Sequence, residues 1–216
     1  MFSGIIDAVG RISQCRNVSS GKALIIHVQD YWSDVPTGGS IAVDGVCLTL
    51  TRADGDESEF DVIAETLRRT TLGELRDGDE VNLQKSMAVG DRIDGHFVQG
   101  HVDAVATVSR IEQSSRESLW WFSMDAEPMA YITPKGSVAI DGVSLTVAEV
   151  RNDEFSVALI PTTLERTTIG QKKVGSRVNI ETDVLARTVV HYLKRTQGST
   201  GRGGISSEFL SRHDFA

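Results

Sequence analysis

Two short stretches alternate aliphatic side chains with small groups able to donate, accept or attack. In Val143-Ser144-Leu145-Thr146-Val147, a strand period of two sends Val143, Leu145 and Val147 to one face and Ser144 and Thr146 to the other. Val46-Cys47-Leu48-Thr49-Leu50 repeats the arrangement, with Cys47 and Thr49 on the polar face. A face that merely meets water usually carries Lys, Glu or Arg. Small hydrogen-bonding groups suit the floor of a ligand pocket, and a plain solvated face is the alternative. A Cys47 nucleophile would need a base or a helix N-terminus to lower its thiol pKa. The sequence sets neither beside it, so a pocket-lining role fits better.

A second group is Gly95-His96-Phe97-Val98-Gln99-Gly100-His101. Its two imidazoles are five residues apart. On a continuous strand that spacing puts the rings on opposite faces, and nothing nearby completes a familiar zinc spacing, so no metal is expected. His101 follows a glycine and opens a strand, either as a structural histidine or as part of a pocket. Trp120-Trp121 reads as core and rim of a strand. No P-loop or dinucleotide fingerprint is present, because Gly201-Arg202-Gly203-Gly204 follows no strand.

The elements that must position these groups are written twice. SIAVDGVCLTL at Ser40–Leu50 and SVAIDGVSLTV at Ser137–Val147 share seven of eleven residues at an offset of 97. Thr66–Gly73 matches Thr163–Gly170, Gly78 matches Gly175, and Val81–Leu83 matches Val178–Ile180 in the same register. Gly4–Val9 lines up with Gly100–Val105 at an offset of 96, which sets His101 against Ile5. Two copies are too few for a solenoid. Short Val/Ile/Leu/Thr runs punctuated by Gly, Asp and Asn predict an all-β fold of two similar antiparallel barrels. The expected divisions are 1–93, 94–183, an amphipathic helix at 184–196 and a flexible Gly/Ser-rich tail at 197–216. Leu185, Val189 and Leu193, with Val190 adjoining, form an apolar stripe. It docks on its own chain or on another copy.

Composition narrows the function classes. The 216 residues carry a net charge of −8 and a sequence pI near 5.1, against a nucleic-acid partner or an anionic membrane surface. No apolar run reaches transmembrane length, and the start has no signal-peptide pattern. With Cys15 and Cys47 the only cysteines, the expected compartment is the reducing cytoplasm.

Read together, MFSGIIDAVG, GHFVQGHVD, DGVCLTL, KGSVAIDGVSLTV, IPTTLERTTIG and VNIETDVLAR resemble riboflavin synthases of the alpha-chain type, the lumazine-binding repeat family, over about residues 1–195. The resemblance implies two six-stranded Greek-key barrels and a homotrimer held by the C-terminal helix, with sites between chains. It implies an association with lumazine synthase, and no cofactor. The implied reaction is the dismutation of two 6,7-dimethyl-8-ribityllumazine molecules, giving riboflavin and 5-amino-6-(D-ribitylamino)uracil.

The resemblance also carries over site residues. For the first barrel these are Gly4, Ile5 and Ile6, then Cys47, Leu48 and Thr49, then Asp61, Val62, Ile63, Ala64, Glu65 and Thr66. For the second they are Gly100, His101, Val102 and Lys135, followed by Ser144, Leu145 and Thr146. The second set ends with Ala158, Leu159, Ile160, Pro161, Thr162 and Thr163. Phe2, Cys47, His101, Ser144, Thr146 and Asp183 fall at positions tied to turnover. A neutral His101 would then carry the proton, since imidazole titrates near neutrality. Ser3, Asp94 and Thr162 depart from the family pattern. A lumazine- or flavin-binding antenna protein without chemistry is the alternative. A flavin reductase domain would need a nicotinamide domain, for which the chain has no room.

Overall fold

The computed structural model describes residues 1–113 and 118–198. Six strands, β1 (Ala8–Val18), β2 (Gly21–His27), β3 (Ser40–Val43), β4 (Val46–Asp54), β5 (Glu57–Ile63) and β6 (Glu80–Lys85), close in the order β1-β2-β5-β4-β3-β6. The second copy repeats this circuit with β7 (Ala104–Gln113), β8 (Ser118–Ser123), β9 (Ser137–Ile140), β10 (Val143–Val150), β11 (Glu154–Leu159) and β12 (Arg177–Thr182). All pairings are antiparallel. Closure leaves neither small barrel a strand with a whole edge unpaired. The expected all-β architecture of two six-stranded barrels is what the chain forms.

Alternation fills each barrel. Along β4, Val46, Leu48 and Leu50 are buried while Thr49 is exposed, and the inward residues pack with Ile12, Leu24, Phe60 and Leu83. The second core gathers Val108, Trp120, Phe122, Phe155 and Ile180. Trp121 is also buried, so the pair is not core and rim. Its ring is covered by the guanidinium groups of Arg110 and Arg151.

The repeated landmarks have a common purpose at the junction. β6 and β12 are buried on both faces. Val81, Leu83, Val178 and Ile180 point into the cores, while Asn82 and Asn179 bracket the opposite half. Asn82 Nδ2 donates to the Asp141 carbonyl at 2.9 Å and its Oδ1 accepts from the Thr168 amide at 2.8 Å. Asn179 mirrors this with the Asp44 carbonyl and the Thr71 amide, both at 2.8 Å. Asp44-Gly45 and Asp141-Gly142 form the β3–β4 and β9–β10 turns, with positive φ at all four residues, as a tight hairpin needs. The two turn tips touch, so a local pseudo-twofold relates the barrels.

Short helices α1 (Ala64–Arg69), α2 (Ala126–Met129) and α3 (Pro161–Arg166) lie between strands; α1 and α3 follow β5 and β11. The repeated Thr/Leu landmarks form α1, α3 and the 3-10 turns after them. The last helix, α4, runs Val184–Gly198. Its stripe is left open by the described residues: Leu185, Val189 and Leu193 are 61%, 57% and 47% exposed. Apart from its first two residues, the expected flexible tail lies outside the described residues, as does the Gly-rich run at 201–204.

Candidate functional site

Pairing along β4 and β10 is lopsided at one end. Cys47, Leu48 and Thr49 pair with β3, but the described register with β5 begins only at Leu50. Ser144–Thr146 pair with β9, and the register with β11 begins at Val147. Each barrel therefore opens a notch between diverging strands. One is lined by Cys47–Thr49 and the end of β5, the other by Ser144–Thr146 and the end of β11. The polar faces stand outward, with Cys47 and Ser144 half-buried and Thr49 and Thr146 exposed.

What enters each notch corrects the expected allocation of site residues. Gly4–Ile6 precede the first barrel yet lie on the second: the Ser144 amide donates to the Gly4 carbonyl at 2.7 Å, and Ile6 packs on the second core. Gly100–Val102 lie on the first: the Cys47 amide donates to the Gly100 carbonyl at 2.9 Å, and Val102 packs on the first core. The physical cause is the free strand edge of each notch, where an unpaired backbone N–H must find an acceptor. Contact is close enough to demand glycine. A Cβ on Gly4 (φ +78°) would stand 2.6 Å from Ser144 Cβ, and one on Gly100 (φ +81°) 2.4 Å from Cys47 Cβ.

His101 therefore goes with Cys47, not with Ser144. Its amide donates to Glu181 and its ring is exposed. The imidazole beside Ser144 is His96, whose Nδ1 lies 2.7 Å from Ser144 Oγ. The stretch around these histidines is no continuous strand, so the spacing argument placing their rings on opposite faces does not apply. It is a strap. His96 N donates to the Ser3 carbonyl at 3.1 Å, and Phe2 and Val98 exchange amide bonds at 2.7 and 3.0 Å.

His96 is buried, and its Nε2 has no hydrogen-bond partner among the described residues. Burial pushes the ring below the ordinary imidazole pKa, against an opposing field from the Asp183 carboxylate. At neutral pH the ring is neutral and can accept a proton. The pairing was hidden in the sequence because residues 96 and 144 share no local period.

The other expected residues fall into three groups. Asp61, Ile63, Ala64 and Glu65 are exposed at the end of β5 and the start of α1, with Thr66 half-buried behind them. Ala158, Ile160, Pro161 and Thr162 are exposed at the matching end of β11, with Thr163 half-buried. Val62 and Leu159 point into the cores. Ile63 and Ile160, each 57% exposed, give both notches an apolar wall suited to a flat ring. Leu48 and Leu145 belong to the barrel interiors.

Phe2 is fully buried with Ala42, Val98 and Ala139 between the barrels. Asp183 accepts from the Leu185 amide at 2.9 Å and caps α4. Lys135 sits exposed in the turn before β9, and its amide donates to the Val147 carbonyl at 2.8 Å. A cleft of about 1060 Å³ runs past Ile5, Tyr31, Lys85 and Met87 and does not include Cys47, Ser144 or His96. Among the described residues, no three or more His, Cys, Asp or Glu gather to hold a metal ion, and no helix is long and apolar enough to cross a membrane.

The fold defines a tandem-barrel protein whose two halves each open a notch at equivalent places. The Lumazine binding domain profile matches residues 3–85 and 99–183. The riboflavin synthase of Chlamydia pneumoniae is 44% identical over 205 residues, covering 94% of this chain and all of that one. The riboflavin synthase of Actinobacillus pleuropneumoniae is 37% identical over 217 residues, covering both chains fully. The Escherichia coli riboflavin synthase is 41% identical over 197 residues, or 90% of this chain and 92% of the relative. The chain belongs to the riboflavin synthase family. Among solved structures, LumP complexed with 6,7-dimethyl-8-(1'-D-ribityl)lumazine superposes with a TM-score of 0.76 at 26% identity, covering 84% of this chain and 99% of LumP. LumP complexed with riboflavin gives the same TM-score at 28% identity and the same coverage.

Proposed function

We propose that the two notches bind two molecules of 6,7-dimethyl-8-ribityllumazine. One gives a four-carbon unit to the other, with riboflavin and 5-amino-6-(D-ribitylamino)uracil as products. The chain is a transferase of the riboflavin synthase family, and a reaction between two identical substrates accounts for two related sites. The observation carrying the reading is the His96–Ser144 pair at 2.7 Å, present in one notch, while the other presents Cys47. Two sites that bind one ligand but differ in a base can make one molecule donor and the other acceptor.

A proton must leave the acidic C7 methyl of one lumazine before carbon–carbon bond formation. A neutral His96, acting with Ser144, is the group able to take it. His101, Thr146, Thr49 and Lys135 are proposed to contact the rings and ribityl chains. Asp183 acts on His96 through its charge, and Phe2 by holding the strap. Holding both lumazines in reacting geometry supplies several kcal/mol, on the order of 7–11 at most.

The proposed setting is a cytoplasmic homotrimer, with each active site completed between chains and associated with a lumazine synthase. The exposed stripe of α4 and the open notches support the trimer. The test is conversion of the lumazine to riboflavin by the purified protein without added cofactor. Tight lumazine binding with no riboflavin formed would sink the enzyme reading in favour of the non-catalytic binder, the ligand class held by LumP. Deleting residues 184–216 lowers the sedimenting mass from trimer to monomer; an unchanged mass would remove α4 from the assembly.

A further inference from the structure

The two crossing segments are held down by different chemistry. In β6, Gln84 receives the Gly4 amide at 2.9 Å and donates to the Ser3 hydroxyl at 2.8 Å. The matching residue in β12 is Glu181, which is 3% exposed. Its two oxygens accept the amides of Gln99, Gly100 and His101 at 2.7, 2.9 and 2.9 Å. Three donors converge on a group that, when ionised, only accepts. A glutamine would offer one acceptor atom and add two donors of its own.

The same segment is gripped from outside. Arg187, in the first turn of α4, donates to Gln99 Oε1 at 3.0 Å and pairs with Asp103. Asp103 also accepts the Thr182 amide and hydroxyl at 2.8 and 2.7 Å. Burial raises the Glu181 carboxyl, while the three amides and the Arg187 charge oppose that rise. Among the described residues no arginine plays this part for the first segment, which is bonded instead to the His96–Val98 backbone. The position matching Arg187 is Gly90, and the stretch after β6 forms no helix.

We propose that Glu181 and Arg187 are positioning residues of the Cys47 notch, setting the Gln99–His101 backbone against β4 and tying that site to the seating of α4 through an arginine-held backbone clamp that the Ser144 site lacks. The proposal deepens the reading of the notches as lumazine sites and rests on it for its ligand. Gly100 presents its carbonyl to Cys47 from the centre of the clamped segment, so loosening the clamp moves one wall of that notch. Charge-assisted bonds are the stronger kind, so their loss should be felt locally.

Full-length Glu181→Gln, Arg187→Met and Arg187→Lys are compared with wild type. Amide hydrogen exchange without ligand should show protection of residues 99–101 reduced roughly tenfold or more in Glu181→Gln and Arg187→Met, with residues 1–6 unchanged. Titration with the lumazine should show one of two binding classes weakened by about the same factor, with partial recovery in Arg187→Lys. Arg187 is half-buried rather than enclosed in a core, so its variants keep the test available if Glu181→Gln fails to fold. Unchanged exchange at 99–101, equal loosening of both segments, or equal weakening of both classes would overturn the proposal. A wild type that binds no lumazine, with the exchange asymmetry intact, would instead overturn the assignment of the notches.

Discussion

His96 and Ser144 make the case that a catalytic pair can be spelled out in the residues and still be hidden. Both residue types invite chemistry, but only the strap brings them together, and a strap has no period to read. Cys47 and Ser144 were legible because alternation along a strand is a local signal, and their outward orientation follows from it. We expect His96→Gln to lower kcat about 100-fold, the low end for a lost acid–base group, while lumazine affinity stays within a few-fold. A parallel loss of affinity would make His96 a binding residue. His101→Ala, on the other notch, should raise KM more than it lowers kcat.

The pH profile follows the sign of the His96 shift. Its folded pKa lies below the free imidazole value of 6.5, so the active neutral form persists below that pH. The acid limb of kcat/KM should fall below 6.5 and vanish in His96→Gln. Stability follows the same sign. Above 6.5 the ring is neutral in both states and costs nothing; below it the unfolded chain binds the proton first, and stability drops.

At the scale of elements, the barrels could be read from the sequence because both copies repeat one pattern of aliphatic alternation and turn residues. The crossing of the leading segments could not. The Gly4–Ser144 and Cys47–Gly100 hydrogen bonds join residues far apart in sequence, which leaves no local trace except the glycines. Those glycines test the arrangement. Gly100→Ala forces a Cβ into Cys47 at a positive φ and should disturb the Cys47 notch, while Gly4→Ala should disturb the Ser144 notch. Each variant should cost about 1–2 kcal/mol from backbone strain and displaced contacts and weaken a different binding class in a lumazine titration. If both variants weaken the same class, the crossing is wrong. The apolar stripe of α4 was visible in sequence, but its partner was not, since periodicity marks a face without saying what covers it.

For the whole molecule, the junction carries an uneven charge. Asp44 and Asp141 are both buried at the turn tips, and Lys172 sits 3.3 Å from Asp141. Its counterpart in the first copy is Leu75, so two carboxylates share one cation. Burial and then the Asp141 charge push the Asp44 carboxyl well above its usual value. The native chain therefore holds a proton that the unfolded chain releases above about 3.8. That contribution is complete below 3.8 and is lost as pH rises through the folded value.

Asp44→Asn should weaken this dependence between pH 5 and pH 8, the remainder coming from the Asp141 carboxyl, which burial also raises. Lys172→Met strands the Asp141 charge, at a cost of about 3 kcal/mol, larger at pH 8 than at pH 5. Urea unfolding at both pH values measures each. A pH-independent loss in Lys172→Met would show that the lysine acts by packing alone.

The strap that carries His96 also bears on how such a chain could arise. A single-barrel ancestor pairing with itself would exchange its leading segments and present two identical notches. Symmetry would deny it a donor and an acceptor. Once two copies are fused, the joining peptide belongs to neither copy, and here it supplies Gly95 and His96 to one notch. The linker that made the duplication covalent is thus where the two halves stopped being equivalent.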